Sequence, residues 1–183
     1  MAHFHIFETA HGVAAIAWSG PSIVRFRLPA TSIEETQRNM WRSLPYAVAA
    51  EPSSEIGAVI DKATRYFAGE HVDFSAVPLD LGPQEPFSAE VYAYVRGLGW
   101  GETTTYGAVA KALNAGPEAA RAVGQAMARN PIPLIVPCHR VTAAGGKVGG
   151  FSAPGGSDAK ARMLLLEGVD TSPPPASQAT FGF

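Results

Sequence analysis

Residues 130–141 read Asn-Pro-Ile-Pro-Leu-Ile-Val-Pro-Cys-His-Arg-Val, and the rest of the chain is best read outward from them. Pro131, Pro133 and Pro137 fall within seven positions. They forbid a helix and pre-set an extended path. The apolar residues between them, Ile132, Leu134, Ile135 and Val136, indicate burial. Cys138, the only cysteine in the chain, therefore ends a stiff buried segment and is followed at once by His139. A lone cysteine is most often a small buried hydrophobe. A free thiol has a pKa of about 8.5 and needs help to become a thiolate near neutrality. His139 is a candidate helper, yet neighbours on an extended strand point to opposite faces. A turn or a bridging water has to connect the two.

The surrounding sequence is almost wholly helical. Phe87, Val91, Tyr94, Val95 and Leu98 form one helical face, closed by Gly99 and Gly101. Thr105 caps a short helix, Tyr106 to Leu113, and a second helix runs from Glu118 to about Arg129. Asn114 to Pro117 is a tight turn between them, with Gly116 as N-cap and Pro117 in the first helical position. Two short helices across a Gly/Pro turn have the dimensions of a helix-turn-helix. The second carries mainly alanine and glycine, whereas reading base edges in a major groove needs donors such as Arg, Asn or Gln. Such a helix suits close packing in a small core, or approach to a narrow surface such as a minor groove. Arg121 is the only long charged side chain from Ala119 to Gly124. On the other side, paired glycines at 145–146, 149–150 and 155–156 frame Phe151 and Ser152. Lys147 is followed by valine, so this is no phosphate-binding P-loop. It is either a flexible surface loop or a pocket wall. A last helix runs from Ser157 or Asp158 to Glu167 and stops at Gly168. A carboxylate in a last helical turn meets the negative end of the macrodipole, a cost of roughly 0.3–1 kcal/mol. Glu167 is therefore either solvated or held by a partner, and a histidine to orient is one such partner.

The first half reads as strands and then helices. Val24, Phe26 and Leu28 alternate with Arg25 and Arg27, and Val13 to Trp18 is a second strand across a Gly20-Pro21 turn. Thr31 and Ser32, three residues before Glu34 and Glu35, make a doubled capping box for a helix towards Leu44. Ile56, Val59, Ile60, Ala63 and Phe67 share one face of a second helix, ended by Gly69. The fold class is thus an α/β N-terminal domain, residues 1–80, and a mainly α C-terminal domain, residues 87–170. Residues 81–86 of the proline-rich stretch Val77 to Pro86 form the linker, and 171–183 a disordered tail.

Apolar residues make up 46% of the chain and charged residues 16%, enough for a core and too little charge for disorder. No apolar run spans a bilayer, no secretory leader is visible, and one thiol fits the reducing cytoplasm. A single cysteine also excludes a disulfide framework or a multi-cysteine metal site. His3, His5 and His11 lack acidic or cysteine partners at ligand spacing, so no metal is expected. Net charge is −2, but residues 1–85 carry 6 basic and 10 acidic side chains against 8 and 6 in residues 86–183. An anionic partner belongs to the second half.

Pro137-Cys138-His139-Arg140-Val141, with Arg121-Ala122-Val123-Gly124 and Asn130-Pro131 before it, resembles the O6-alkylguanine-DNA alkyltransferase (methylated-DNA–protein-cysteine methyltransferase) family. The likeness runs over residues 87–168 and includes Thr105-Tyr106-Gly107 and Leu166-Glu167-Gly168. It implies a ribonuclease H-like N-terminal fold and a monomer that binds double-stranded DNA from the minor groove, with no cofactor. It also implies rotation of the damaged guanine out of the duplex, since the reacting atom lies inside the stack. Cys138 would accept the alkyl group from O6-alkylguanine, and from O4-alkylthymine, once. His139, acting through a water and oriented by Glu167, would take the thiol proton. Arg121 would fill the gap in the stack, and Tyr106 would press on the turning phosphate and supply a proton to O6. Ser88, Gly107 and Ala119 would also meet DNA. Val141, Val148, Phe151 and Ser152 would line the guanine pocket with Tyr106, and Asn130 would brace the turns around it. A lesion-binding relative without the acceptor cysteine, a plain helix-turn-helix regulator and a cysteine hydrolase are the alternatives.

Overall fold

The computed structural model describes residues 1–173, so most of the proline-rich tail lies outside the described residues. The chain opens with a three-stranded antiparallel meander: β1 (His3–Thr9), β2 (Gly12–Ser19) and β3 (Ser22–Ala30). Sequence reading found the second and third strands but not β1, whose alternation breaks after four residues at the adjacent apolar pair Ile6 and Phe7. A two-residue strand, β4 (Val48–Ala49), pairs parallel to β1, giving the order β3-β2-β1-β4. Between β3 and β4 runs α1 (Ile33–Ser43), and after β4 comes α2 (Ser54–Phe67). Of the doubled capping box, Ser32 is the N-cap, accepting from the Glu35 amide, while the Glu35 carboxylate reaches back to the amide and hydroxyl of Thr31.

The second half is helical around one short sheet. α3 (Pro86–Arg96) is followed by β5 (Thr104–Thr105) and α4 (Tyr106–Ala112), capped by the Thr105 hydroxyl. A 3-10 turn at Pro117–Ala119 leads into α5 (Ala120–Ala128). β6 (Val141–Thr142) pairs with β5, and α6 (Gly156–Leu166) closes the described chain. The buried face of α3 differs from the expected one: Tyr94 is exposed, and Tyr92 is buried with its hydroxyl donating to the Ala126 carbonyl of α5. An apolar count sees two tyrosines, but only one has a buried acceptor within reach of its hydroxyl.

One apolar core runs through both halves, with Phe26, Ile56 and Tyr66 joined to Val91, Val123 and Ile132. The contact is also made by backbone. Residues 78–80 run beside β3, where Ile23 donates to the Pro78 carbonyl and accepts from the Asp80 amide. The next buried residue of β3, Phe26, donates its amide to the Pro131 carbonyl at 3.1 Å. The edge of the N-terminal sheet thereby seats the loop that leads to Cys138. Among the described residues no helix is long and apolar enough to cross a membrane.

Gly12 tests the tightness of the meander. Its φ is +125°, and an added Cβ would overlap the Ala30 carbonyl. Gly12→Ala is expected to cost about 1–3 kcal/mol from strain before the clash is counted. Gly20→Ala, at φ +56° with open space around it, should cost roughly 1–2 kcal/mol. Urea unfolding of the two variants checks the order.

Candidate active site

The 130–137 loop is folded, not extended. Three prolines limit the backbone, but an asparagine side chain and one strained residue turn it back on itself. Asn130 donates from Nδ2 to the Val136 carbonyl at 2.8 Å and accepts the Ile132 amide on Oδ1 at 3.0 Å. Leu134 sits at φ +74°, a left-handed conformation that a bulky side chain rarely adopts. Buried neighbours on both sides hold it there. Residues Cys138–Arg140 then form a 3-10 turn rather than a strand. The expected extended path is corrected here: one tight turn puts Cys138, His139 and Arg140 on three directions of a buried corner.

Each of those directions has a partner. His139 Nε2 lies 2.6 Å from Glu167 Oε1, with both side chains fully buried. Arg140 grips the same carboxylate with two prongs, Nε to Oε2 at 2.9 Å and Nη2 to Oε1 at 3.0 Å. Tyr66 of α2 donates its hydroxyl to Oε1 at 2.9 Å, and the Gly101 amide donates to Oε2 at 3.1 Å. Glu167 is the C-cap of α6, where the macrodipole disfavours it. Its burial alone would raise its pKa, but hydrogen bonds from His139 and Arg140 and the charge of Arg140 overcome this and hold it at about 2. Of the two readings left open for Glu167, the held one is correct, although histidine is one of several partners.

The tautomer of His139 follows. An ionised carboxylate only accepts, so Nε2 carries the proton towards Glu167. Nδ1 is then an unprotonated lone pair, and it has no hydrogen-bond partner among the described residues. Burial lowers the imidazole pKa against the pull of Glu167, and burial raises the Cys138 thiol against the help of Asn130 and Lys160. The resting pair is therefore neutral thiol and neutral imidazole.

Cys138 opens into a cavity of about 420 Å³ whose wall includes Tyr106, Gly124, Phe151, Ser152 and Lys160. Ser152 Oγ donates to the Ala128 carbonyl at 2.9 Å, which closes the glycine loop onto the end of α5. Gly149, at φ +84°, lets the loop backbone approach Tyr106, whose hydroxyl a Cβ would meet at 2.8 Å. Lys160 is almost wholly buried, and Nζ donates to the Val141 carbonyl at 2.6 Å and the Tyr106 hydroxyl at 3.3 Å. Burial lowers this lysine to about 8, despite the attraction of Cys138.

Comparison with known proteins decides what this arrangement belongs to. Residues 86–169 match the family model of the 6-O-methylguanine DNA methyltransferase DNA-binding domain. A methylated-DNA–protein-cysteine methyltransferase of Mycolicibacterium paratuberculosis is 36% identical over 91% of this chain and 93% of its own. The chain belongs to the methylated-DNA–protein-cysteine methyltransferase family. The solved O6-methylguanine methyltransferase of Mycobacterium tuberculosis is similar at a TM-score of 0.74 and 35% identity, covering 96% of this chain and 97% of that one. The same organism's OGT in complex with DNA gives a TM-score of 0.72 at 36% identity, covering 90% of this chain and 92% of that one.

In this methyltransferase fold the residues singled out from sequence fall into three groups. Cys138, His139, Glu167 and Asn130 meet at the buried corner. Tyr106, Phe151 and Ser152 line the cavity. Val141 is buried beside it and takes part through its carbonyl, whereas Val148 lines neither this cavity nor the larger cleft next to it. Exposed Arg121 is in the first turn of α5, Ala119 just before it, Gly107 in the first turn of α4 and Ser88 in that of α3. Sequence reading missed Tyr66, Lys160 and the grip of Arg140. A signal for Lys160 was present on α6. Lys160 and Glu167 lie at i and i+7 of the stripe that holds Met163 and Leu164, so both had to point inward.

The depressed Glu167 pKa makes a pH prediction. Its folded value lies below its usual 4.5, so its contribution is complete above about pH 4.5 and is lost as pH falls towards 2. The loss is on the order of 3 kcal/mol. Denaturant unfolding at pH 7 and pH 3 should show this acid limb in the parent protein. Glu167→Gln should be less stable at pH 7 and nearly lack this component of the slope. An equally steep limb in the variant would assign the acid sensitivity elsewhere.

Proposed function

We propose that the protein repairs O6-alkylguanine in double-stranded DNA by moving the alkyl group to Cys138, and that each molecule acts once. One observation carries this reading: the only thiol is buried at the floor of a cavity beside a histidine whose free nitrogen is defined by Glu167. In the proposed step His139 Nδ1 takes the thiol proton through a water. The sulfur attacks the alkyl carbon in line, the carbon–O6 bond breaks, and guanine leaves as O6 receives a proton from the Tyr106 hydroxyl. Lys160 donates to that hydroxyl and offsets the charge that develops there. Glu167 stabilises the imidazolium formed on His139. The product thioether has no good leaving group and no base to cleave it, so the protein is spent.

The remaining assignments belong to the same proposal. α4 and α5 serve as a helix-turn-helix at the minor groove, with Ser88, Gly107 and Ala119 near the backbone. The small residues of α5 permit close approach, Arg121 enters the stack in place of the extruded base, and Tyr106 presses on the turning phosphate. Phe151 and Ser152 shape the base site with the carbonyl of Val141 behind it, Val148 standing outside it, and the pocket also admits O4-alkylthymine. Residues 1–80 form a ribonuclease H-like supporting unit, joined by 81–86 to the reactive unit 87–170. The protein works as a monomer in the reducing cytoplasm, without a cofactor.

Intact mass after incubation with O6-methylguanine DNA should rise by about 14 Da, one methyl group, on the peptide of Cys138 alone. Cys138→Ala should bind DNA without gaining mass. Turnover beyond one equivalent would overturn the reading and favour a hydrolase.

Arg121→Ala separates extrusion from binding. Unstacking costs a few kcal/mol, so the single-turnover rate at saturating duplex should fall strongly, while reaction with free O6-benzylguanine should scarcely change. Equal duplex rates at saturation would make Arg121 a phosphate contact only.

A further inference from the structure

Cys138 borders a second, larger space. A cleft of about 560 Å³ adjoins the base cavity and shares Met127, Ala128, Cys138, Phe151 and Ser152 with it. Its far wall comes from the other half of the chain and is cationic. Arg25 and Arg27 project from β3, Arg42 from α1, and Arg129 follows the end of α5. One carboxylate, that of Glu35, lines the same cleft, and it is engaged with the amide and hydroxyl of Thr31. Asp80 attracts Arg25 from one side. Among the described residues none of the four arginines is in an ion pair, and Arg27 Nε is buried without a hydrogen-bond partner. Burial, and then the charges of Arg25 and Arg42, lower the pKa of Arg27. Holding like charges together around a half-buried guanidinium whose Nε has no partner is unfavourable without an anion.

The geometry of the transfer says which part of a substrate reaches this space. In the alkyltransferase reading, on which this inference rests, the purine occupies the Tyr106–Lys160 cavity and its O6 carbon faces Cys138. The sugar and phosphates stay at the mouth. The group that projects sideways from the sulfur–carbon–O6 line towards this cleft is whatever the attacked carbon carries, and a methyl group leaves the cleft empty. We propose that this cleft receives O6 substituents larger than methyl and selects those that end in a carboxylate, with Arg27 and Arg129 as specificity-determining residues. A guanidinium presents paired donors that match a carboxylate. The chemistry is that of the methyl transfer. The Cys138 sulfur–carbon bond forms, the carbon–O6 bond breaks, guanine takes the proton, and the carboxylate is carried over unchanged on the thioether.

Three free bases test this without DNA: O6-benzylguanine, its 4-carboxybenzyl analogue and its neutral, similarly shaped 4-carbamoylbenzyl analogue. Intact mass gives the rate of Cys138 alkylation by each. The acid is expected to react about tenfold faster than the amide, the scale of one charged hydrogen bond gained. The ratio should fall towards one in Arg129→Gln and in Arg27→Gln/Arg129→Gln. Exposed Arg129 keeps the test valid if the half-buried site of Arg27 tolerates no change. Equal rates for acid and amide in the parent overturn the proposal, as does a ratio that survives both variants. Variants that weaken DNA binding but leave the ratio intact assign the arginines to the phosphate backbone and overturn it too. Failure of all three bases to alkylate Cys138 strikes the alkyltransferase reading itself.

Discussion

The Glu167 carboxylate accepts five hydrogen bonds from four residues in three separate parts of the chain. Tyr66 comes from α2, Gly101 from the loop after α3, and His139 and Arg140 from the turn after Cys138. Burying this charge is costly, and only a full set of donors makes it tolerable. That requirement is cooperative. The corner exists when α6, the reactive turn, the 98–101 loop and the N-terminal helix are all docked, and it loses its reason when any is absent. Arg140 extends the tie by donating to the Leu98 carbonyl. The carboxylate that orients the histidine is therefore also the joint of the fold.

This arrangement gives the N-terminal half a physical task. Tyr66 carries its hydroxyl to the Glu167 carboxylate, and β3 offers the Phe26 amide to the Pro131 carbonyl. A loop that contains a strained Leu134 needs such external holds, because its local sequence does not favour the conformation it adopts. Internally, Asn130 supplies the rest by spanning from the Ile132 amide to the Val136 carbonyl. The reactive segment is stiff because both its own side chains and the neighbouring sheet constrain it.

Local signals were legible in the sequence where a short-range rule governs. Ser32 and Thr105 cap as their patterns require, Gly69 and Gly168 end helices at positive φ, and the helix pair flanks its Gly/Pro turn. The cysteine, histidine and glutamate were legible because few residue types perform their chemistry. The misses are long-range. Tyr66 is separated from Glu167 by 101 positions, and nothing near it distinguishes its hydroxyl from that of any amphipathic-helix tyrosine. Tyr94 and Tyr92 were exchanged for the same reason: the acceptor that decides between them, the Ala126 carbonyl, is on another helix. The proline run was read as extended because proline fixes φ but not ψ, and a side chain such as Asn130 is free to fold the path between prolines.

The protonation state of the site suits a protein that is consumed by its reaction. A standing thiolate would be lost to any small electrophile or oxidant that reached it. Here burial holds the thiol protonated and His139 neutral, while the Glu167 charge is already in place. In the proposed transfer, separating the proton from sulfur thus becomes favourable only when an acceptor of negative charge, the departing base, is also in position. Tyr106 and Lys160, hydrogen-bonded to each other, line the same cavity that Cys138 borders. In the proposed transfer, nucleophile activation and leaving-group stabilisation are in this way tied to occupancy of one pocket. The selectivity of the thiol comes from what must be bound beside it, and not from a permanently lowered pKa.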